Sequence, residues 1–289
     1  MIAFDPMQGE LAEGITLDKD GQNAYLATAA GQILKVSLAT KTKTVFGSLP
    51  GTIPSDQSVF VLGLAFDSAS NLYIAVTSFG PNYQTGIYKL GTAGGEATRL
   101  ASLNGFVNGI AVGSDDTLYV TDSGNGKILK VTGAGVVTDW VADVALTGGA
   151  SVSACDSGFG IGANGIALTA DAAYVTNSDR ASLVKVVRKS DGTAGAVSVV
   201  KDTDCATFNG ADGLAVGPDG SFYIAANQQD AILRYNPADQ KLTTVASGSL
   251  FAFPSSIVYN DADGALYVAN AAFGEKKTPG VVKIPVAIK

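Results

Sequence analysis

Hydrophobic positions along the chain follow no helical period. They fall in short runs separated by turn-forming residues, and one phrase recurs. A small or polar residue and a glycine open an apolar stretch. A turn follows, then a tyrosine-centred apolar run, a second turn, and a run that carries a basic residue near its end. The phrase is clearest in Asn108-Gly109-Ile110, Leu118-Tyr119-Val120 and Ile128-Leu129-Lys130-Val131, and again in Asn164-Gly165-Ile166, Ala173-Tyr174-Val175 and Leu183-Val184-Lys185-Val186. Its glycine falls at positions 14, 63, 109, 165 and 213, with Ser256 in the last copy, so the period is 43 to 56 residues. Each of the first five copies adds a fourth β-like run, such as Thr44-Val45-Phe46 or Val136-Val137-Thr138.

Six copies of four short strands predict an all-β fold, a six-bladed β-propeller with four-stranded blades, occupying residues 1–289 as a single domain. The sixth copy ends after its third strand. The run Ile2-Ala3-Phe4 is the candidate for the missing fourth, closing the ring and removing an open sheet edge. The six tyrosines at 25, 73, 119, 174, 223 and 267 read as packing residues within strands. Asp-Gly at 191–192, 219–220 and 263–264 reads as hairpin turns.

In such a ring the first strand of each blade lines a central channel, and glycine there lets the backbones crowd together. The residue before each glycine then sits at the channel mouth. These hub positions hold Glu13, Leu62, Asn108, Asn164, Asp212 and Ser255. Asn or Asp before Gly is also an ordinary turn pair. Yet two carboxylates and two carboxamides aimed at one axis form an oxygen donor set for a hard cation. Calcium takes about six to eight oxygens, which leaves room for water or substrate. Magnesium and manganese are alternatives; zinc and copper favour nitrogen or sulfur ligands that are lacking here.

Composition narrows the chemistry. Histidine is absent, which excludes Ser-His-Asp and Cys-His mechanisms and His-ligated zinc. Hydrophobic residues make up 46% and charged residues 16%, which excludes a disordered chain. With 19 basic and 26 acidic residues the net charge is −7, and no basic run exceeds Lys276-Lys277, so nucleic acid is not an expected partner. No apolar run reaches the ~20 residues of a membrane helix, and Met1 to Glu10 lacks the charged and apolar regions of a secretion signal. Cys155 and Cys205 lie in loops that lead into neighbouring hub strands; both a bridge and two free thiols are open, and a bridge would favour an extracytoplasmic home. The Ser-Gly-rich stretch from Thr147 to Gly162 is longer than its counterparts and reads as an insertion or a lid.

The segments Ala12-Glu13-Gly14, Val107-Asn108-Gly109, Ala163-Asn164-Gly165-Ile166 and Ala211-Asp212-Gly213-Leu214, with Gly217-Pro218-Asp219-Gly220 after them, resemble the SMP-30/gluconolactonase family. That resemblance implies a divalent-metal site of Glu13, Asn108, Asn164 and Asp212, with Asp212 also the catalytic base, and a metal-dependent hydrolase of a lactone or related ester. It implies a small-molecule substrate; a monomer is expected, and the charge balance and the short apolar runs leave neither nucleic acid nor membrane as an expected partner. The chain departs from the family pattern at Ala163 and Ala211, where proline is usual, at Ile15-Thr16-Leu17, which lacks a Pro-x-Trp, and at Phe106, where a substrate-contacting arginine is usual. The same repeat rhythm is similar to NHL and strictosidine-synthase-like propellers, so a binding propeller without chemistry and a propeller lyase or condensing enzyme are the other readings.

Overall fold

A computed structural model describes residues 1–54, 57–149, 155, 160–202, 205–274 and 278–286. Six antiparallel sheets follow one another along the chain and form a six-bladed β-propeller. In the third blade Val107–Val112, Leu118–Asp122, Lys127–Val131 and Val137–Ala142 run from the channel outward, and the other blades repeat that order.

The burial pattern explains the strand sequences. Second strands such as Leu72–Ser78 and Ala172–Asn177 are packed on both faces by neighbouring blades, so they read as nearly unbroken apolar runs. Outer strands such as Lys43–Ser48 face solvent and carry lysine and threonine. Each repeat tyrosine sits directly across from the basic residue of the third strand: Tyr25 from Lys35, Tyr73 from Lys89, Tyr119 from Lys130, Tyr174 from Lys185, Tyr223 from Arg234 and Tyr267 from Lys283. In five of these pairs the lysine Nζ lies 5.1–5.7 Å from the ring centre, a cation–π contact that lets each amine stay wet above a buried ring.

The channel is as narrow as the sequence predicts. A Cβ added at Gly14, Gly63, Gly109, Gly165 or Gly213 would come within 2.1–2.6 Å of backbone atoms of the next blade's first strand. Side-chain hydroxyls tie the same strands together. Thr121 donates to the Asn164 carbonyl and Thr176 to that of Asp212, while Ser123 and Ser178 donate to Ala163 and Ala211. One layer below the glycines, Ile15, Leu64, Ile110, Ile166, Leu214 and Ile257 ring the axis with buried aliphatic side chains.

Ring closure follows the predicted route. Ile2–Ala3 is the fourth strand of the last blade, paired Ile2 to Val281 and Ala3 to Gly280, and the Phe4 amide continues the ladder to the Pro279 carbonyl at 2.9 Å. The first blade differs from expectation because it has a fifth strand. Gly95–Glu96 pairs in parallel with Gly47 and Ser48 on its outer edge. The glycines permit this approach, since a Cβ at Gly94 would strike the Phe46 carbonyl and one at Gly47 the Gly95 carbonyl. The described α-helix is the single turn Cys205–Phe208. Cys155 and Cys205 are bridged, with Cα atoms 5.3 Å apart and a separation of 50 residues; closing a loop of that length contributes about 4 kcal/mol in the chain-entropy view. Within the Thr147–Gly162 stretch, residues 150–154 and 156–159 lie outside the described residues.

Two consequences can be measured. Deleting residues 1–8 exposes the edge of the last blade and should lower the melting temperature; an unchanged value would contradict closure by the first strand. Gly165→Ala should destabilise the fold by about 1–3 kcal/mol in denaturant titration, because the atom it meets is backbone that cannot swing away.

Candidate functional site

The hub residues are set into the channel by a repeated irregularity. In each of the first five blades the inner strand gains one residue on its partner: between Ala12 and Ile15, Val61 and Leu64, Val107 and Ile110, Ala163 and Ile166, and Ala211 and Leu214. The extra residue forms a β-bulge that contains the hub residue and its glycine. A bulge re-aims a side chain that regular pleating would place elsewhere.

Glu13, Asn108, Asn164 and Asp212 line one cavity of about 200 Å³ at the channel mouth, together with Leu62. The sixth hub residue, Ser255, does not line it. Its hydroxyl instead donates to the Glu13 carbonyl at 2.7 Å, locking the last blade to the first. The carboxamides are held from behind. Asn164 Nδ2 donates to Ser178 Oγ at 3.0 Å, and Asn108 Nδ2 makes a longer contact of 3.4 Å with Ser123 Oγ. With their nitrogens engaged, the amide oxygens remain as donors toward a cation. Asn227 Nδ2 donates to Asp212 Oδ2 at 2.7 Å, while its own Oδ1 is buried and finds no hydrogen-bond partner.

Two carboxylates share this space with no basic side chain among the described lining residues. Burial pushes Asp212 from its ordinary 3.8 up to about 8, against the lowering effect of hydrogen bonds from Asn227 and Asn164. Glu13 is held well above its ordinary 4.5, first by burial and then by the charge of Asp212. A low-dielectric mouth with two carboxylates and an orphaned amide oxygen is short of positive charge. The oxygen donor set of two carboxylates and two carboxamides suits a hard divalent cation.

The walls were not foreseen from the pattern of ligands. Phe60, Phe79 and Phe106 form a mutual cluster with ring centres 5.7–6.1 Å apart, and Phe253 meets Phe273 at 5.7 Å. All five line the cavity. A signal existed: Phe60, Phe106 and Phe253 each lie two residues before a hub position, at equivalent places in three blades. Asn227 and Ser178 likewise share a place, four residues after their blade's tyrosine.

A family model matches residues 142–272. The model is that of the SMP-30/gluconolactonase/LRE-like region. This region includes Asn164 and Asp212, whereas Glu13 and Asn108 lie before it. No curated protein matches the chain in sequence. Among solved structures, a calcium-binding protein, regucalcin, from Agrobacterium tumefaciens is 20% identical over 98% of this chain and 92% of its own, with a TM-score of 0.68. A luciferin-regenerating enzyme is 13% identical over 96% of this chain and 92% of its own, with a TM-score of 0.68. A virginiamycin B lyase from Staphylococcus aureus, catalytically inactive after a histidine-to-alanine replacement and crystallised with quinupristin, is 16% identical over 96% of both chains at a TM-score of 0.60. At these identities the likeness is one of fold.

The carboxylate pair gives a test of the site's electrostatics. Because the folded pKa of Asp212 is raised, the unfolded chain binds fewer protons between pH 4 and 8, and stability falls as pH rises through that range. In chelator-treated protein, Asp212→Asn should therefore raise the melting temperature relative to the parent at pH 8. The gain should shrink toward pH 4, where both parent carboxylates are protonated.

Proposed function

We propose that the protein is a divalent-cation-dependent hydrolase of a small lactone or related ester, with its site at the mouth of the propeller channel. The observation that carries this reading is the meeting of the buried Asp212 carboxylate, the half-buried Glu13 carboxylate and two carboxamides in one cavity with no basic side chain among its described lining. Glu13, Asn108, Asn164 and Asp212 would hold the ion, with calcium first and magnesium or manganese as alternatives. A bound cation would neutralise the carboxylates and polarise a substrate carbonyl.

The remaining work falls to the chain's own residues. Asn227 fixes the Asp212 carboxylate through Oδ2, which leaves Oδ1 to take a proton from an attacking water. Water oxygen adds to the carbonyl carbon, the ring or ester C–O bond breaks, and Asp212 returns the proton to the leaving oxygen. The products are a hydroxy acid from a lactone, or an acid and an alcohol from an ester. No step requires histidine, in keeping with a chain that has none. With a substrate seated across them, the phenyl rings would exclude bulk water from the reacting end and so strengthen the electrostatics there.

The bridge between Cys155 and Cys205 supports an extracytoplasmic setting, and pairing of the first strand with the last blade supports one domain for residues 1–289. A ligand-binding propeller without turnover is the second reading, favoured by the phenyl-rich wall and by Phe106 in place of a family arginine. Lyase chemistry like that of the Staphylococcus aureus neighbour has less support. That enzyme was inactivated by loss of a histidine, and no histidine exists here.

Calorimetry on chelator-stripped protein tests the proposal. Calcium should bind at submillimolar concentration and with proton release, since the raised carboxylates must ionise to ligate. Asp212→Asn should weaken binding at least ~100-fold, because one full charge a few ångströms from the ion contributes about 4 kcal/mol in a partly buried site. It should also abolish cation-dependent turnover across a panel of chromogenic esters and lactones. Absence of calcium, magnesium and manganese binding at millimolar concentration would overturn the reading.

A further inference from the structure

The cavity at the channel mouth is small for a whole ligand. Its volume of about 200 Å³ falls below the range of about 300–1,000 Å³ usual for small-molecule sites. A second depression of about 720 Å³ adjoins it between the second and third blades. The two share Phe79 and Phe106, which line both. Phe79 is 65% exposed and Phe60 40% exposed, high values for phenyl rings that already pack against each other. Apolar rings left in contact with solvent at a cavity mouth mark a surface that gains by being covered.

The chemistry of the trough is distinctive. Gln84, Thr85, Asn104 and Asn125 supply uncharged hydrogen-bonding groups along it, and no Asp, Glu, Lys or Arg is among its described lining residues. The Asn125 amide is partly engaged, its Nδ2 donating to Asp122 at 2.7 Å. Among the described residues that line the cavity, the charged ones are the carboxylates Glu13 and Asp212. Among the described residues neither compartment has a cationic side chain in its lining; Arg99 stands outside the trough, its guanidinium engaged by Gln84 Oε1. On the far side of the ring Phe253, from the sixth blade, stands at the place equivalent to Phe106 in the third, so apolar contact is available from opposed blades.

We infer that the site takes an uncharged, elongated lactone or ester whose carbonyl end enters the cavity and whose apolar chain crosses Phe60, Phe79 and Phe106 into the trough. Phe79 and Phe106 are its specificity residues. The inference rests on the hydrolase reading for which end of the ligand enters, but it stands on separate residues. A described lining without a cationic side chain disfavours hydrophilic acids and phosphorylated sugars, and the phenyl bridge disfavours short polar lactones, which would leave the rings wet.

The test is a ligand series read by binding as well as turnover. Neutral γ-lactones with unbranched side chains of increasing length would be titrated into calcium-loaded and calcium-free protein by calorimetry. Affinity should rise about fourfold per added methylene while the chain crosses the phenyl rings, then level off. The same chain ending in a carboxylate should bind at least ~10-fold more weakly than its neutral counterpart. Phe79→Ala, at an exposed position where folding should survive, should flatten the chain-length dependence, and Phe106→Arg should reverse the preference toward the carboxylate-ended ligand. If lactones bind with this dependence and are not hydrolysed, the hydrolase reading fails and the specificity stands. If lactones are hydrolysed with no dependence on chain length, or if Phe79→Ala leaves the dependence intact, the specificity is overturned and the hydrolase reading is untouched.

Discussion

Everything in this molecule depends on how closely backbones can approach the propeller axis. Where the first strands meet, an added methyl group would lie within 2.1–2.6 Å of a neighbour's main chain in five of six blades. The glycines are therefore a condition of closure. They set the diameter of the ring, and with it the distance over which side chains from different blades can act on one small object. A wider ring would leave Glu13 and Asp212 solvated at separate points of a rim. A narrow one forces them into a shared low-dielectric space, where burial raises both carboxyls.

The same geometry separates support from chemistry. Hydroxyls on the second strands, Thr121 and Thr176, and just beyond them, Ser123 and Ser178, grip carbonyls of the following blade and hold the inner strands of the fourth and fifth blades in place. The bulges then lift one side chain per inner strand out of the regular pleat and into the channel. What that side chain is can change without disturbing the ring, because its backbone is held from outside. Leu62 and Ser255 occupy hub positions without offering a ligand to the proposed ion: one is apolar, and the other is spent on a contact between blades. Function can thus be written on a few positions of a rigid scaffold.

Much of this was legible in the sequence because a repeat makes each copy evidence for the others. Gly109 alone says little; glycine at five equivalent places says that something recurrently crowds them. The closing role of Ile2-Ala3-Phe4 was legible for the same reason, since one copy lacked a strand. The convergence of Glu13, Asn108, Asn164 and Asp212 follows from ring symmetry once the fold is read. What was hidden is whatever breaks the repeat. The fifth strand at Gly95–Glu96 comes from a local approach of glycines in the turn between the third and fourth strands of the second blade, and no period marks it. Phe79 and Phe273 lie in loops after the second strands, where spacing varies and register is lost. The bulges add one residue without leaving a compositional mark, so they surface only when strands are paired.

The two-residue strand Ile2–Ala3 also decides when the fold can exist. Its partners, Val281 and Gly280, are almost the whole chain away, so the contact that completes the last sheet is among the most non-local the molecule can make. Sheets two to five can each gather from their own stretch of sequence as it leaves the ribosome, but the sixth cannot finish until Gly280–Pro285 has emerged. Until then two blade faces stay uncovered and the axis is open, and Glu13, at one end of the arc, is not yet beside Asp212. The oxygen cluster is therefore assembled late, after the scaffold that will hold it. A nascent or truncated arc would have strands, blades and tyrosine–lysine pairs, yet no place where the opposed carboxylates meet.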